Sequence, residues 1–348
     1  MHAGLPKTGT TTIQAALRGA SSQELNGKKY VGSLCCVGTT GFRKPPPPIA
    51  NRTLRQVERA GDLIMSSENI LGNMNTGYDS AASRAQELFD FFGSATDLQL
   101  VVYLRPQVSW VESLCIQFIK MGAVGTSKQL ASNILSSRTL QFSTLANELI
   151  SVVGANNLVI RAYDPKNDVL SDFDYICETA LATQTRKGEQ HNVSLSAAQA
   201  LLLERINRRG TRSMSRNARF LLESQDAARS MPDPYSILPE ALQRDLNAIE
   251  QKDWTELAKH LRSTRYPQVE AFEAVAQRAR TWRPRPYVGE VCESGPDSEE
   301  ATLLLLAAMH AGETSIFRQR QKSKLQWYRS SRPSHLRRSL LCRISSLL

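Results

Sequence analysis

The chain opens on a loop that contains two glycines, four threonines and one lysine, in the stretch HAGLPKTGTTTIQAAL at 2–17. Alanine and leucine at helical spacing follow the loop directly, so a helix is predicted to begin where the loop ends. Backbone N–H groups at a helix start, together with the positive end of the helix dipole, bind anions. The sequence therefore predicts a phosphate-like ligand at this loop.

Apolar stretches alternate with helical patterns over the first half of the chain. Three strands are predicted, at 62–67, 98–104 and 157–163. Four helices are predicted beside them, near 10–20, 80–93, 107–120 and 139–153. From about residue 194 onward the pattern is mainly helical. This order predicts an α/β fold in which helices flank a central parallel sheet, followed by a helical C-terminal half.

The loop differs from the ordinary ATP- and GTP-binding loop, which reads GxxxxGK[ST]. Gly4 and Gly9 have the expected spacing, but Thr10 and Thr11 stand where the lysine and the hydroxyl residue belong. The lysine is Lys7, inside the loop. A strand-end aspartate that could share a magnesium ion with the loop is not evident. The loop therefore suits a phosphate-like group bound by amides, hydroxyls and one lysine, without a metal.

A second motif, VVYLRPQVSWVES, follows the strand at 98–104. It places Arg105 at the strand end and Ser113 eight residues later, about two helical turns on. A guanidinium fork and a hydroxyl suit a phosphate monoester. The alternative interpretation is that Arg105 is an ordinary surface arginine.

A third motif, DLIMSSENILG, places Glu68 at the end of a predicted strand. Ligands of open α/β sheets bind at the carboxyl ends of parallel strands, so this carboxylate can accept a proton from a bound substrate. The alternative is that Glu68 belongs to a helix cap, a role that Ser66, Ser67 and Asn69 fill equally well.

Together the three motifs resemble the sulfotransferases that use 3'-phosphoadenylyl sulfate (PAPS), in particular the bacterial-type carbohydrate sulfotransferases. PKTGTT at 6–11 is similar to their first loop, and the Arg105–Ser113 pair to their site for the 3'-phosphate. The resemblance covers about residues 2–265 and implies a P-loop-like three-layer fold. The residues that it implies for cofactor binding are Lys7, Thr8, Gly9, Thr10, Thr11, Arg105 and Ser113.

The resemblance implies transfer of a sulfuryl group from PAPS to a hydroxyl of a carbohydrate or another acceptor. It places Lys7 beside the bridging oxygen of the leaving phosphate, gives Glu68 the acceptor proton and requires no metal. The cytosolic branch of the family uses a histidine as base, whereas His2 is expected here to pack within the loop. Two alternatives remain, a P-loop phosphotransferase that needs magnesium and a decayed, non-catalytic protein that binds polyanions.

Three regions are predicted along the chain. Residues 1–265 form the sulfotransferase domain, whose first strand is expected to be truncated because only Met1 precedes His2. Residues 266–315 form a helical extension. Residues 316–348 form a basic tail.

The tail holds nine of the 43 Lys and Arg residues and no acidic residue, which leaves 34 basic and 33 acidic residues before it. The net charge of +10 is therefore a property of the tail, and no nucleic-acid partner is expected. Leucine and isoleucine at helical spacing in 334–348 predict an amphipathic helix that binds an anionic membrane surface or a polyanionic acceptor. The alternatives are a disordered terminus and a helix docked on the body.

The location expected from the sequence is cytoplasmic, with a peripheral attachment to the membrane through the tail. No signal peptide is recognised before the loop, and the six cysteines show neither a CxxC motif nor the spacing of metal ligands. Reduced structural thiols are therefore expected.

Overall fold

In the computed structural model, the described elements up to residue 162 include both strands and helices, and those described after it are helices. The structure describes residues 1–31, 37–38, 41–42, 54–55, 59, 61–72, 78–93, 97–136, 140–164, 168–184, 195–210, 212–225, 235–264 and 267–288. The predicted tail at 316–348 and the end of the predicted extension, from residue 289 onward, lie outside the described residues.

The strands are β1 (Lys29–Val31), β2 (Val37–Gly38), β3 (Gly41–Phe42), β4 (Leu63–Met65), β5 (Leu100–Leu104) and β6 (Leu158–Ala162). The helices are α1 (Thr10–Gly19), α2 (Ala81–Phe92), α3 (Gln107–Lys120), α4 (Ser127–Leu135), α5 (Phe142–Val153), α6 (Val169–Cys177), α7 (Leu181–Gln184), α8 (Ala197–Arg209), α9 (Arg212–Gln225), α10 (Glu240–His260) and α11 (Val269–Thr281). The predicted α/β class is confirmed.

The longer strands pair in parallel. Strand β1 pairs with β4, with Tyr30 opposite Ile64, and β5 pairs with β6, with Val102 opposite Ile160. The two-residue strands β2 and β3 form an antiparallel pair. Parallel pairing requires a crossover connection. Between β5 and β6 the helices α3, α4 and α5 form it.

The first residues of the chain lie between the two parallel pairs. His2 bridges in parallel to Ser66, directly after β4, and to Val101 of β5. Its N–H donates to the Met65 carbonyl at 2.7 Å, and the Ala3 N–H donates to the Val101 carbonyl at 2.9 Å. The backbone pairing therefore runs from β1 to β6 through a central segment of three residues. The expected shortness of this strand does not prevent it from pairing on both sides.

Strand β5 is buried on both faces, as a central strand must be. Val101 and Tyr103 pack into one hydrophobic cluster with α1 and α6. The alternate residues Leu100, Val102 and Leu104 pack into a second cluster with α2, α3 and α5. The strand thus connects two cores.

Helix α10 joins the helical second half to the α/β part. Its Trp254 stacks on Phe272 of α11, with ring centroids 5.0 Å apart. The Asn247 amide of α10 also donates to the Ala279 carbonyl at 3.0 Å. This pair of helices therefore packs across residue 265, the predicted limit of the first domain. None of the helices in the described ranges is long and apolar enough to cross a lipid bilayer.

Candidate functional site

The predicted site residues gather at one edge of the parallel strands. The central segment continues into the loop at 4–9, β4 continues to Glu68, β5 to Arg105 and β6 to Tyr163. Because all these strands are parallel, their carboxyl ends meet at the same edge. The topology therefore brings the three sequence motifs together.

The backbone of the opening loop is tightly constrained. A Cβ atom on Gly4 would lie 1.9 Å from the Thr10 Oγ1 atom, so only glycine fits there. Gly9, at the start of α1, has a left-handed φ of 81°, and Lys7 has a φ of 66°. Glycine adopts such a conformation readily, but lysine does so at a cost, and strain of this kind clusters at functional sites.

Threonine hydroxyls inside the loop hold its shape. Thr8 Oγ1 donates to the Leu5 carbonyl at 2.6 Å, and Thr10 Oγ1 donates to the same carbonyl at 3.5 Å. Both threonines are buried, whereas Thr11 is exposed on the first turn of α1. The N–H groups of the first helical turn have no partner within the helix. We therefore assign anion contacts to these N–H groups before the hydroxyls of Thr8 and Thr10.

Arg105 connects the second motif to the loop. Its Nη1 donates to the Lys7 carbonyl at 3.2 Å, and its Nε donates to Ser109 Oγ at 3.1 Å. The guanidinium carbon lies 5.8 Å from the centre of the Tyr163 ring. Burial lowers the pKa of Arg105, while Tyr163 and Glu112 raise it.

No described carboxylate lies within 4.0 Å of the Arg105 guanidinium. A cation that has lost water without gaining an ion pair is costly to bury. A bound phosphate would remove that cost through paired, charge-assisted hydrogen bonds. The chemistry of this arginine therefore fits an anion site.

Ser109 is a site residue that the sequence interpretation missed. The sequence predicts that Arg105 and Ser113 bind the same phosphate, and the structure shows in addition that Arg105 contacts the hydroxyl of Ser109, one helical turn before Ser113. Ser109 Oγ donates in turn to the Pro106 carbonyl at 3.0 Å. Ser113 is half-buried on the same face of α3, four residues beyond Ser109. The sequence signal that could have identified Ser109 is its position four residues after Arg105.

Glu68 and Lys7 interact electrostatically. Burial raises the pKa of Glu68, and the nearby positive charge of Lys7 opposes that rise. Burial lowers the pKa of Lys7, the positive charges of Lys120 and Arg105 lower it further, and Glu68 raises it. The structure thus brings the two predicted catalytic residues close enough to influence each other's protons.

The helix-cap interpretation of Glu68 finds little support in the local geometry. Residues 68–71 form turns rather than a helix. The Asn69 N–H is bonded by Ser67 Oγ at 3.3 Å. Within the described part of the chain, the Glu68 carboxylate accepts no hydrogen bond.

His2 packs within the fold, as the sequence predicted. It is buried, its Nδ1 lies 2.7 Å from Ser66 Oγ, and its ring meets the edges of Tyr103 and Phe173. Burial, followed by the nearby N-terminal ammonium, lowers the pKa of His2 to about 3. The ring is therefore neutral near pH 7.

Lys120, at the end of α3, is a further cation that the sequence interpretation did not assign. Its side chain is only 9% exposed and forms an ion pair with Glu223 of α9 at 2.7 Å. Arg219 donates to the Lys120 carbonyl at 3.2 Å and also pairs with Glu223. The charge of Lys120 lowers the pKa of Lys7, so this network lies within electrostatic range of the loop.

Comparisons with protein-family models, curated proteins and solved structures find no match to this chain. A function for the site therefore rests on its residues and their geometry. Across the described ranges, no three His, Cys, Asp or Glu side chains are grouped as a bound metal ion would need.

Proposed function

We propose that this chain is a sulfotransferase that moves a sulfuryl group from PAPS to a hydroxyl of a carbohydrate acceptor. The observation that carries the proposal is the hydrogen bond from Arg105 Nη1 to the Lys7 carbonyl, which joins two motifs that are 98 residues apart in sequence. The Arg105–Ser113 motif alone is a weak signal. A single nucleotide site that spans both motifs requires them to lie together. They are in contact, and Glu68 lies at the same edge of the sheet.

Each of these residues has a separate role in binding or in transfer. The N–H groups of the loop and Lys7 bind the 5'-phosphosulfate end of PAPS, and Arg105 with Ser109 and Ser113 binds the 3'-phosphate. The acceptor oxygen forms its bond to sulfur as the bond from sulfur to the bridging oxygen breaks. Glu68 takes the acceptor proton, and Lys7 stabilises the negative charge on the leaving phosphate.

A P-loop-like three-layer fold is part of this proposal. Two observations support it: the central position of the first residues between parallel strands, and the packing of β5 into separate cores on its two faces. In such a sheet the loop after the central strand faces the ligand crevice. This agrees with an anion bound by the loop at 4–9.

The alternative is a phosphotransferase that needs magnesium. The position of Lys7 inside the loop counts against it, because the standard phosphate-binding lysine follows the second glycine. We also propose a cytoplasmic location and attachment of the basic tail to an anionic membrane surface, which co-sedimentation of the full chain with anionic and neutral vesicles tests.

The direct test of the reaction is a transfer assay with sulfur-labelled PAPS and a set of sugar acceptors. Label that appears in a sugar in the presence of a magnesium chelator supports the proposal. Transfer of phosphate from ATP that depends on magnesium would replace it with the alternative. Absence of both reactions, with no nucleotide bound, would leave only polyanion binding.

A further inference from the structure

Three side chains of α10 hold the start of α3, the helix that carries the serines beside Arg105. They are Glu250, Asp253 and Trp254, which we call the α10 clamp. Their spacing of three and four residues places them on one face of the helix. All three are buried, with exposures of 6%, 6% and 0%.

Glu250 binds the first N–H groups of α3. Its Oε2 accepts from the Val108 N–H at 3.0 Å, although the two residues are 142 apart in sequence. No side chain at the helix start itself forms a cap. The Val108 N–H has no partner within the helix, and the Glu250 oxygen can accept from it whether the carboxyl is charged or protonated. The cap that α3 lacks locally is therefore supplied by α10.

Asp253 and Trp254 hold the first residue of α3. The Gln107 amide donates to Asp253 Oδ2 at 2.8 Å and to the Leu140 carbonyl at 3.2 Å. Its oxygen accepts from Trp254 Nε1 at 2.6 Å. Every hydrogen-bonding atom of this buried amide is thus occupied. Gln107 is two residues from Arg105, with only Pro106 between them, so its fixed position fixes the exit of β5.

We propose that the α10 clamp positions Arg105, Ser109 and Ser113 for the 3'-phosphate of the nucleotide. This inference rests on the proposed function, because it assigns the clamp to that same site. The hydrogen bonds of the clamp go to Gln107 and Val108 rather than to these three residues, so the clamp acts through the start of α3. Through the clamp, the helical second half of the chain contributes to selectivity for nucleotides with a 3'-phosphate. The motifs of the first half do not reveal this role.

The test compares two nucleotides that differ only in the 3'-phosphate, adenosine 3',5'-bisphosphate and adenosine 5'-monophosphate. Titration calorimetry on the full chain gives the ratio of their dissociation constants. Glu250→Ala is expected to reduce this ratio by about tenfold and to change the affinity for the monophosphate less than about threefold. Glu250→Gln retains an acceptor for the Val108 N–H, so it is expected to restore most of the ratio.

Glu204→Ala is the matched control. Glu204 is also a buried carboxylate that accepts from a helix N–H, that of Ser127 at 2.6 Å at the start of α4, but it does not touch α3 at Gln107. It is expected to lose stability and to keep the ratio. If Glu250→Ala does not fold, Trp254→Phe removes one hydrogen bond to Gln107 and is expected to lower the ratio by a few fold.

Two results separate the inference from the function on which it rests. A wild-type protein that binds both nucleotides equally overturns the proposed function and this inference together. A wild-type preference that the folded Glu250 and Trp254 variants keep in full overturns the clamp alone. An equal loss of the ratio in Glu204→Ala also overturns the clamp, because the effect would then be a general one on stability.

Discussion

Lys7 and Arg105 are adjacent in the structure, yet the proposed roles assign them to opposite ends of one ligand. Lys7→Ala is expected to lower mainly the turnover, because the lysine acts on charge that develops as the phosphate leaves. Arg105→Ala is expected to weaken binding of adenosine 3',5'-bisphosphate by about 10- to 150-fold, since a charged hydrogen bond contributes about 1.5–3 kcal/mol. Steady-state kinetics and calorimetry measure the two effects. An Arg105→Ala protein that keeps its preference for the 3'-phosphate would refute the assignment.

The pH dependence of the rate tests the proposed role of Glu68. Glu68→Gln is expected to lower turnover by roughly two to four orders of magnitude with little change in nucleotide affinity. Burial raises the pKa of Glu68, so in the wild type the rate should fall on acidification at a pH above the usual range for a glutamate. Below that pKa the carboxyl is protonated and cannot accept a proton. The variant should lack this acidic limb, and near-normal turnover in it would rule out the role.

The sequence predicted which residues lie at the candidate site better than it predicted which side chains contact one another. It selected Lys7, Arg105 and Glu68, and the structure brings them to one edge. It could not show that Ser109 contacts Arg105, because this contact depends on how the arginine side chain folds back over the helix start. Lys120 was missed for a similar reason, since its relation to Lys7 is purely spatial.

The opening loop has a steric requirement that two glycines can test against each other. Gly4→Ala places a methyl group against the buried Thr10 side chain and is expected to cost roughly 1–3 kcal/mol of stability, together with nucleotide binding. Gly19→Ala, at the end of α1, is the control, because an added Cβ there meets no atom within 4 Å. Urea unfolding and calorimetry measure both. Equal stability of the two variants would contradict the tight packing of the loop.

The α10 clamp predicts a pH-dependent stability. Burial raises the pKa of Glu250 from its ordinary 4.5 to about 7, while the Val108 N–H and the charge of Arg278 oppose the rise. The buried carboxyl therefore favours the fold most when it is protonated, and this stability is lost as the pH rises from 4.5 through 7. Relative to Glu250→Gln, the wild type should lose on the order of 3 kcal/mol between pH 4.5 and 8. A difference in urea midpoint that stays constant with pH would contradict this.

Elements with a strong local pattern were predicted closely, and those that depend on distant partners were not. The bounds of α3 were predicted as they stand, because a buried strand and a long amphipathic stretch flank the turn at Arg105. Strand β1 was missed, since it has three residues, none fully buried, and exists through its pairing with β4. The sequence predicted a truncated first strand before the loop, but not that His2 would pair on both sides, because two later strands supply the partners.

At the scale of the whole molecule, the two halves are joined by carboxylates that reach across long sequence separations. Glu204, Glu250 and Asp253 of the helical half accept N–H groups at the starts of α4, α3 and α5 in the first half. A buried carboxylate is costly unless such donors satisfy it, so these contacts make the helical half part of the fold rather than an appendage. Nucleotide binding should therefore stabilise both halves in a single unfolding transition.

The most direct test of the central claim is a calorimetric titration of the full chain with adenosine 3',5'-bisphosphate in the presence of a magnesium chelator, with adenosine 5'-monophosphate as the reference ligand. The proposed site predicts binding about 10- to 150-fold tighter for the bisphosphate, because the 3'-phosphate gains the Arg105 contact. It also predicts that added magnesium leaves both affinities unchanged. Equal affinities, or binding that appears only with magnesium, would contradict the assignment of this chain as a sulfotransferase.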